Sequence, residues 1–379
     1  MTDKITPLVM PKWGLEMREG TVAGWLVDEG ARLAVGTPVV DVETDKISNT
    51  MEAPDAGLLR RRVAVEGATL PVKALLGVLA EPDVSDEEID AFIAAYQVPE
   101  AEGGDDDAGP AYTWVTVDGI RVRVLRRDPA GGGKRGGAPV LLLHGFGGDL
   151  NNWLFNIDAL AAKHSVIALD LPGHGGSDVK LPGDDGMLPS LAGFVARVLN
   201  QLDVERVHAV GHSMGGAIAA QMALDRPQRI ASLALVCSAG LGEEIDGAYL
   251  EGFVDAPGRR ELKPVVEKLF ADPSLVTRQL LDDLLKYKRL DGVSDVLSKL
   301  AAGLFADSRQ SQLPIRAMGT KAPPTLVIWG EHDRVIPAAH AKHAPAGAAV
   351  HVLPGAGHMV MMEKAGEVNA LLLAHLGPA

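Results

Sequence analysis

One cysteine, Cys237, among 379 residues rules out an internal disulfide and fits a reducing compartment, so the fold must rest on packing alone. Aromatic residues make up only 4% of the chain although 47% is hydrophobic, so much of any core is Ala, Val and Leu. No apolar run reaches the length of a membrane span. Met1-Thr2-Asp3-Lys4 leads into a strand-like stretch without the apolar core of a signal peptide. These absences predict a cytoplasmic chain with no membrane partner. Positive charge is also scarce. The 36 Lys and Arg against 50 Asp and Glu leave a net charge of −14, which argues against nucleic acid or an anionic surface as a partner. Between Ala74 and Ala111 there are eleven acids and no Lys or Arg, so most of the excess sits in one segment.

The length predicts two or three domains, and an internal repeat marks the first. Glu29-Gly30-Ala31-Arg32-Leu33-Ala34-Val35 returns as Glu66-Gly67-Ala68-Thr69-Leu70-Pro71-Val72, and Gly20 returns as Gly57 at the same offset. Short β-prone stretches, Thr37–Glu43, Ile47–Ala53 and Leu58–Val65, lie around the repeats. Two units too small to bury their own faces must pack on each other. Residues 1–80 are therefore expected to form an all-β flattened barrel with approximate two-fold symmetry. Lys46 follows Glu43-Thr44-Asp45 at the tip of a tight turn between two β stretches, where a modifying enzyme can reach it. Residues 1–80 resemble a lipoyl domain. The resemblance implies lipoate carried covalently on Lys46, placed there by a lipoate-attaching enzyme. The related biotin carriers usually flank the lysine with Met on both sides; here its neighbours are Asp45 and Ile47.

Residues 81–111 read as an acidic helix and a linker. Over Val84–Gln97, Ser85 suits an N-cap, acids fill the first turn, and Ile89, Phe92, Ile93 and Tyr96 share one face. The reading favoured is a helix capping the first domain or a piece of linker, rather than a subunit-binding module. Pro99–Ala111 is polar and self-repelling, spanning on the order of 20 Å as a coil and about 40 Å when stretched.

From Tyr112 the pattern becomes α/β. Asp118-Gly119 between Tyr112–Val117 and Ile120–Leu125 is a hairpin signal. Apolar strands then alternate with helical stretches: Pro139–Leu143, Ser165–Leu169, Arg206–Val210, Ser232–Val236, Thr325–Trp329 and Ala348–Leu353. Continuous Val/Leu/Ile runs of this length predict a parallel sheet buried on both faces. A mainly helical insertion, about 238–322, reads as a cap over a pocket.

Gly211-His212-Ser213-Met214-Gly215-Gly216 lies between one of these strands and a helix running to about Asp225, the context of a nucleophile elbow. A serine nucleophile needs a base, and the base needs an acid to orient it, in the chain order Ser, Asp, His. Asp333, just after the strand ending at Trp329, and His358, just after the last strand, fit that order on loops at the same sheet end. Backbone N–H groups of Phe146, in His144-Gly145-Phe146-Gly147-Gly148, and of Met214 are placed to receive an oxyanion. His144, His174, His212 and His332 read as loop hydrogen-bonders. His164, His340, His343, His351 and His375 read as surface or satisfied positions, and no histidine spacing suggests a metal site.

Residues 112–379 resemble the α/β-hydrolase superfamily, through HGFGG, LPGHGGSD, GHSMGG, the Trp-Gly-x-x-Asp loop and the late Gly-x-Gly-His. A lipoyl domain joined to such a fold resembles the acyltransferase component of acetoin dehydrogenase systems. That resemblance spans the chain and implies a dihydrolipoyllysine-residue acetyltransferase with coenzyme A as cosubstrate. It also implies two partners, a thiamine-diphosphate-dependent acetoin dehydrogenase component and a dihydrolipoyl dehydrogenase. The His-x-x-x-Asp-Gly motif of ordinary 2-oxoacid dehydrogenase acyltransferases is absent, since none of the four Asp-Gly pairs has a His four residues before the Asp. The residues leave two other readings open, a serine thioesterase or carboxylesterase with a lipoyl delivery domain, and a non-catalytic carrier. The triad serves both transfer and hydrolysis, which differ only in what attacks the acyl-serine.

Overall fold

The structure is a computed structural model that describes residues 4–11, 13, 17–44, 48–98, 112–129, 137–183, 188–305 and 308–377. Lys46 and the linker 99–111 lie outside the described residues. The chain divides into two compact units, Met1–Pro110 and Ala111–Ala379.

The first unit holds strands β1 (Ile5–Val9), β2 (Glu19–Trp25), β3 (Arg32–Leu33), β4 (Pro38–Glu43), β5 (Ser48–Glu52), β6 (Gly57–Arg62), β7 (Thr69–Pro71) and β8 (Leu75–Ala80), followed by helix α1 (Asp86–Ala95). They form two four-stranded sheets, in the orders β1-β8-β6-β3 and β5-β4-β2-β7. The repeat is visible in the hydrogen bonds. Gly30 N–H donates to Leu59 O and Gly67 N–H to Val22 O, both at 2.7 Å, and each residue is matched to its copy by the sequence offset. Leu59 N–H returns to Ala31 O, and Val22 N–H to Ala68 O. Each half thus pins the turn of the other. Val22, Val40, Val42, Leu59 and Leu76 fill the core between the sheets, and among the described residues of this unit no aromatic is fully buried.

Helix α1 packs on this unit through Ile89, which with the preceding Val84 lies against Leu75, Val78 and Ala80. It starts later and ends sooner than the predicted 84–97, because Ser85 and Glu88 close a capping box and Tyr96 leaves the helical conformation. The Tyr96 hydroxyl donates to Lys73 O at 2.8 Å, fastening the end of the helix to the β7–β8 turn.

The second unit is built on one eight-stranded sheet. Its strands are β9 (Tyr112–Val117), β10 (Ile120–Arg127), β11 (Val140–Leu143), β12 (Val166–Leu169), β13 (Val207–His212), β14 (Ile230–Val236), β15 (Thr325–Gly330) and β16 (Ala349–Leu353). Their order is β16-β15-β14-β13-β11-β12-β10-β9. The strands from β11 onward run parallel, and the β9–β10 hairpin joins antiparallel. Its turn is Asp118-Gly119, both at positive φ. Residues of β11, β12 and β15 are buried throughout, as their unbroken apolar runs require.

Helices α2 (Leu154–Ala161), α3 (Leu188–Gln201) and α4 (Met214–Asp225) belong to the crossovers. The insertion after β14 contributes α5 (Gly247–Asp255), α6 (Arg259–Val266), α7 (Arg278–Lys288) and α8 (Val293–Leu304). Next comes α9 (Pro314–Met318), which packs on α4. The chain continues with α10 (Val360–Glu363) and α11 (Ala365–Leu376). No helix among the described residues is long and apolar enough to cross a membrane.

Candidate active site

Strand β13 runs two residues beyond the predicted Val210, so Ser213 stands directly at its carboxyl end, with φ 52° and ψ −120°. A non-glycine residue held there stores about 1–3 kcal/mol of backbone strain. Close packing enforces the turn. A Cβ on Gly211 would lie 2.4 Å from Gly215 O, and one on Gly215 would lie 2.3 Å from Leu143 O. Only glycine lets strand, helix and neighbouring strand approach so closely.

Asp333 follows β15 and His358 follows β16, and the two side chains meet. His358 Nδ1 lies 2.7 Å from Asp333 Oδ2, and both side chains are buried. Asp333 Oδ1 accepts the N–H groups of Val335 and Ile336, at 2.8 and 2.9 Å. Its Oδ2 also accepts from Trp329 Nε1 at 3.0 Å. With three donors and the imidazole around it, the carboxylate is held in one orientation. The remaining nitrogen of His358 and Ser213 Oγ are not hydrogen-bonded to each other; they share the wall of one pocket.

That pocket has a cavity volume of about 70 Å³. Its lining includes Phe146 together with Tyr249, Phe253, Leu280 and Leu284 of the insertion. Phe146 meets Phe253 and Phe305 edge-on, at 5.9 and 6.5 Å between ring centres. Two polar side chains that the sequence did not single out, Asn152 and Tyr249, also line it. Burial and the nearby Asp333 and Asp246 raise the Tyr249 phenol above its ordinary value, so it is a donor at neutral pH.

The loop holding Phe146 is set by two histidines. Gly147 N–H donates to His174 Nε2 at 3.1 Å, and His144 Nε2 accepts Leu171 N–H at 2.9 Å. Burial pushes His174 down to about 3 and His144 to about 4, so both stay neutral and accept. The N–H groups of Phe146 and Met214 are not used by any described backbone carbonyl, and Met214 is the first residue of α4, where such donors are left over. His212 Nε2 lies 2.9 Å from His358 O, and burial lowers its pKa well below the ordinary value. It therefore holds the backbone of His358 and is not itself a base. His332, at the surface, is near Glu331.

Cys237, which the sequence offered only as a lone thiol, lies against the acid. Its Sγ and ligand-capable atoms of Asp333 and His358 all lie within 4.8 Å of one another. Its Sγ accepts Gly330 N–H at 3.4 Å and donates to Gly357 O at 3.7 Å. Burial first, then Asp333, raises the thiol pKa well above its ordinary value. A protonated thiol there packs the acid and base loops together.

Residues 138–365 match the family model described as alpha/beta hydrolase fold, and residues 6–79 match that of the biotin-requiring enzymes. The dihydrolipoyllysine-residue acetyltransferase component of the acetoin cleaving system from Cupriavidus necator is 57% identical over 98% of both chains. The component of the same description from Pseudomonas putida is 52% identical over 98% of this chain and 99% of its own. The chain belongs to this acetyltransferase family. A solved membrane phospholipase A, 27% identical with a TM-score of 0.61, covers 71% of this member of the family and 86% of its own chain. Both parts of the family's architecture, the lipoyl-type domain and the hydrolase fold, are thus present.

Proposed function

We propose that the chain is the dihydrolipoyllysine-residue acetyltransferase of an acetoin-cleaving system and moves acetyl to coenzyme A through an acetyl-Ser213 enzyme. The observation that carries the chemistry is the strained Ser213 beside a His358–Asp333 pair whose acid is satisfied on both oxygens. Full-length identity of 57% to an acetyltransferase component supports the identity of the reaction.

We take residues 1–80 as the lipoyl domain, 81–111 as helix and linker, and 112–379 as the catalytic domain, with the cap within 238–322. The β4–β5 hairpin fits a carrier lysine. Its last described pair is Glu43 with Ser48, and Lys46 falls between those two residues in the sequence. Joined as an amide to Lys46, lipoate in its reduced dihydrolipoyl form would supply the thiol on which acetyl is carried. On the catalytic side, His358 takes the Ser213 proton as Oγ attacks the thioester carbonyl. Asp333 keeps Nδ1 protonated, which leaves Nε2 as the base. The Phe146 and Met214 N–H groups receive the oxyanion, and each such donor contributes about 3 kcal/mol in comparable sites. The departing thiolate takes the proton back from His358. Coenzyme A thiol then yields its proton to His358 and attacks the acyl-serine carbonyl. As the bond from Ser213 Oγ to the acyl carbon breaks, Oγ takes that proton and His358 is again the free base. The apolar cap wall disfavours water in that second step. A thiamine-diphosphate-dependent acetoin dehydrogenase component, a dihydrolipoyl dehydrogenase and a lipoate-attaching enzyme are the partners this cycle requires, and the cytoplasm is the compartment it fits.

The test supplies S-acetyldihydrolipoamide and coenzyme A to the lipoylated chain and follows acetyl-CoA and free acetate separately. Acetyl-CoA in excess is expected. Acetate released at the same rate with or without coenzyme A would make the chain a thioesterase with a lipoyl delivery domain.

A further inference from the structure

The segment from Glu267 to Asp272 leads from α6 toward α7, and Leu269 and Phe270 within it line the pocket. Both catalytic loops grip this segment. From the acid loop, Arg334 donates through Nη2 to the carbonyls of Glu267 and Phe270. From the base loop, Met359 N–H donates to Leu269 O at 3.0 Å. Glu363, at the end of α10, joins the two sides with one carboxylate. Its Oε1 accepts Ala271 N–H and its Oε2 accepts Gly357 N–H, both at 2.7 Å. Gly357 immediately precedes His358. The backbones are in contact there, since a Cβ on Gly357 would lie 2.6 Å from Ala271 N. Burial raises the Glu363 pKa, and the Ala271, Gly357 and Asp272 N–H groups oppose that rise. None of the transfer steps uses this carboxylate, yet it is half-buried where water could have served either N–H.

We propose that Glu363 is a positioning residue for acyl transfer: by bridging the Ala271 and Gly357 N–H groups it locks the His358 loop to the wall of the acyl pocket. The base and the pocket wall then move as one body, and the imidazole stands at a fixed height above Ser213. Replacing one carboxylate oxygen by an amide sets an N–H against an N–H, while shortening the side chain leaves it unable to span both donors. Either change frees the loop without touching a reacting group.

The inference rests on the assignment of Ser213 and His358 given above. If that assignment fails, Ser213→Ala keeps wild-type transfer; if the inference fails, only the Glu363 variants reveal it. Glu363→Gln and Glu363→Asp are compared with the wild-type full chain. The expected kcat falls about 100-fold, as for a catalytic group displaced by an ångström, with KM for both substrates little changed. The melting temperature should stay within about 3 °C of wild type. A far-downfield proton resonance of His358 Nδ1–H, expected in the wild type from its 2.7 Å bond to Asp333, should broaden or vanish in both variants. Wild-type kcat in either variant overturns the proposal. So does activity lost in step with melting temperature while that resonance stays intact, because a merely structural glutamate behaves that way. Should Glu363→Gln fail to fold, Glu363→Asp decides alone by the same criteria.

Discussion

All eleven histidines and the single cysteine lie in the second unit, and the first unit has neither. The chemistry expected of the first unit rests on one lysine, Lys46, which a modifying enzyme must be able to reach. Its charges are mostly solvated: Lys4–Asp83 and Arg32–Glu81 are ion pairs between exposed side chains, worth little to stability. The second unit does the reverse, gathering its reactive groups in the interior. There Asp170 is buried with Arg123, three imidazoles are held neutral, and Asp333 is enclosed by four partners. A carrier needs exposure and local order, whereas a transferase needs burial and long-range order. One chain meets both demands by keeping them in separate cores.

The sharpest way to break this comparison is a crossed pair of substitutions. Ser213→Ala should lower transfer from free S-acetyldihydrolipoamide by about 10⁴- to 10⁶-fold, as loss of a triad nucleophile does, and leave lipoylation of Lys46 intact by mass spectrometry. Lys46→Arg should abolish lipoylation and leave transfer from the free donor close to wild type. If Lys46→Arg also stops transfer from the free donor, the two units are not chemically separable.

A smaller effect concerns acid. His144, His174 and His212 are neutral in the fold because burial depresses them, the first two to about 4 and about 3. An unfolded chain protonates them as pH falls through the ordinary histidine range, while the folded chain does not. Stability that is full above about pH 6.5 is therefore lost on the way down, at a slope approaching about three protons from these residues. The first unit has no histidine and should lack this term. Hydrogen exchange followed peptide by peptide at neutral and mildly acid pH would decide it. A parallel loss of protection in both units would remove the contrast.

The smallest change sharpens the comparison from the other side. Ser85→Ala removes the capping box of α1 and should cost the first unit about 1 kcal/mol, read as faster exchange along α1. Protection of β13 and α4 should not change. Equal loosening in the second unit would show that the helix does more than cap its own domain.

Much of both units was legible because it depends on neighbours in sequence. The repeat announced the two-fold hydrogen bonds of Gly30 and Gly67, Asp118-Gly119 announced its hairpin, and the glycines around Ser213 announced the elbow. Chain order alone was enough to nominate Asp333 and His358. What was not legible shares one property, that its partners come from different crossovers. His212 on the His358 carbonyl, Cys237 against Asp333 and His358, and Asn152 with Tyr249 in the pocket carry no spacing signal. Helix α1 was legible as a helix, but its ends were set by Ser85 and Tyr96.

By itself, then, the sequence determined the periodicities, turns and motif order that specify a β repeat, a parallel α/β sheet and a serine nucleophile. Those features follow from steric and hydrophobic preferences acting within a few residues. The tertiary structure alone decided which donors hold Asp333 against His358, which backbone groups the loop histidines engage, and how Glu363 binds the base loop to the cap segment. Such choices depend on which loops the sheet brings to its carboxyl edge and which groups burial strips of water, and neither is encoded at any fixed spacing along the chain.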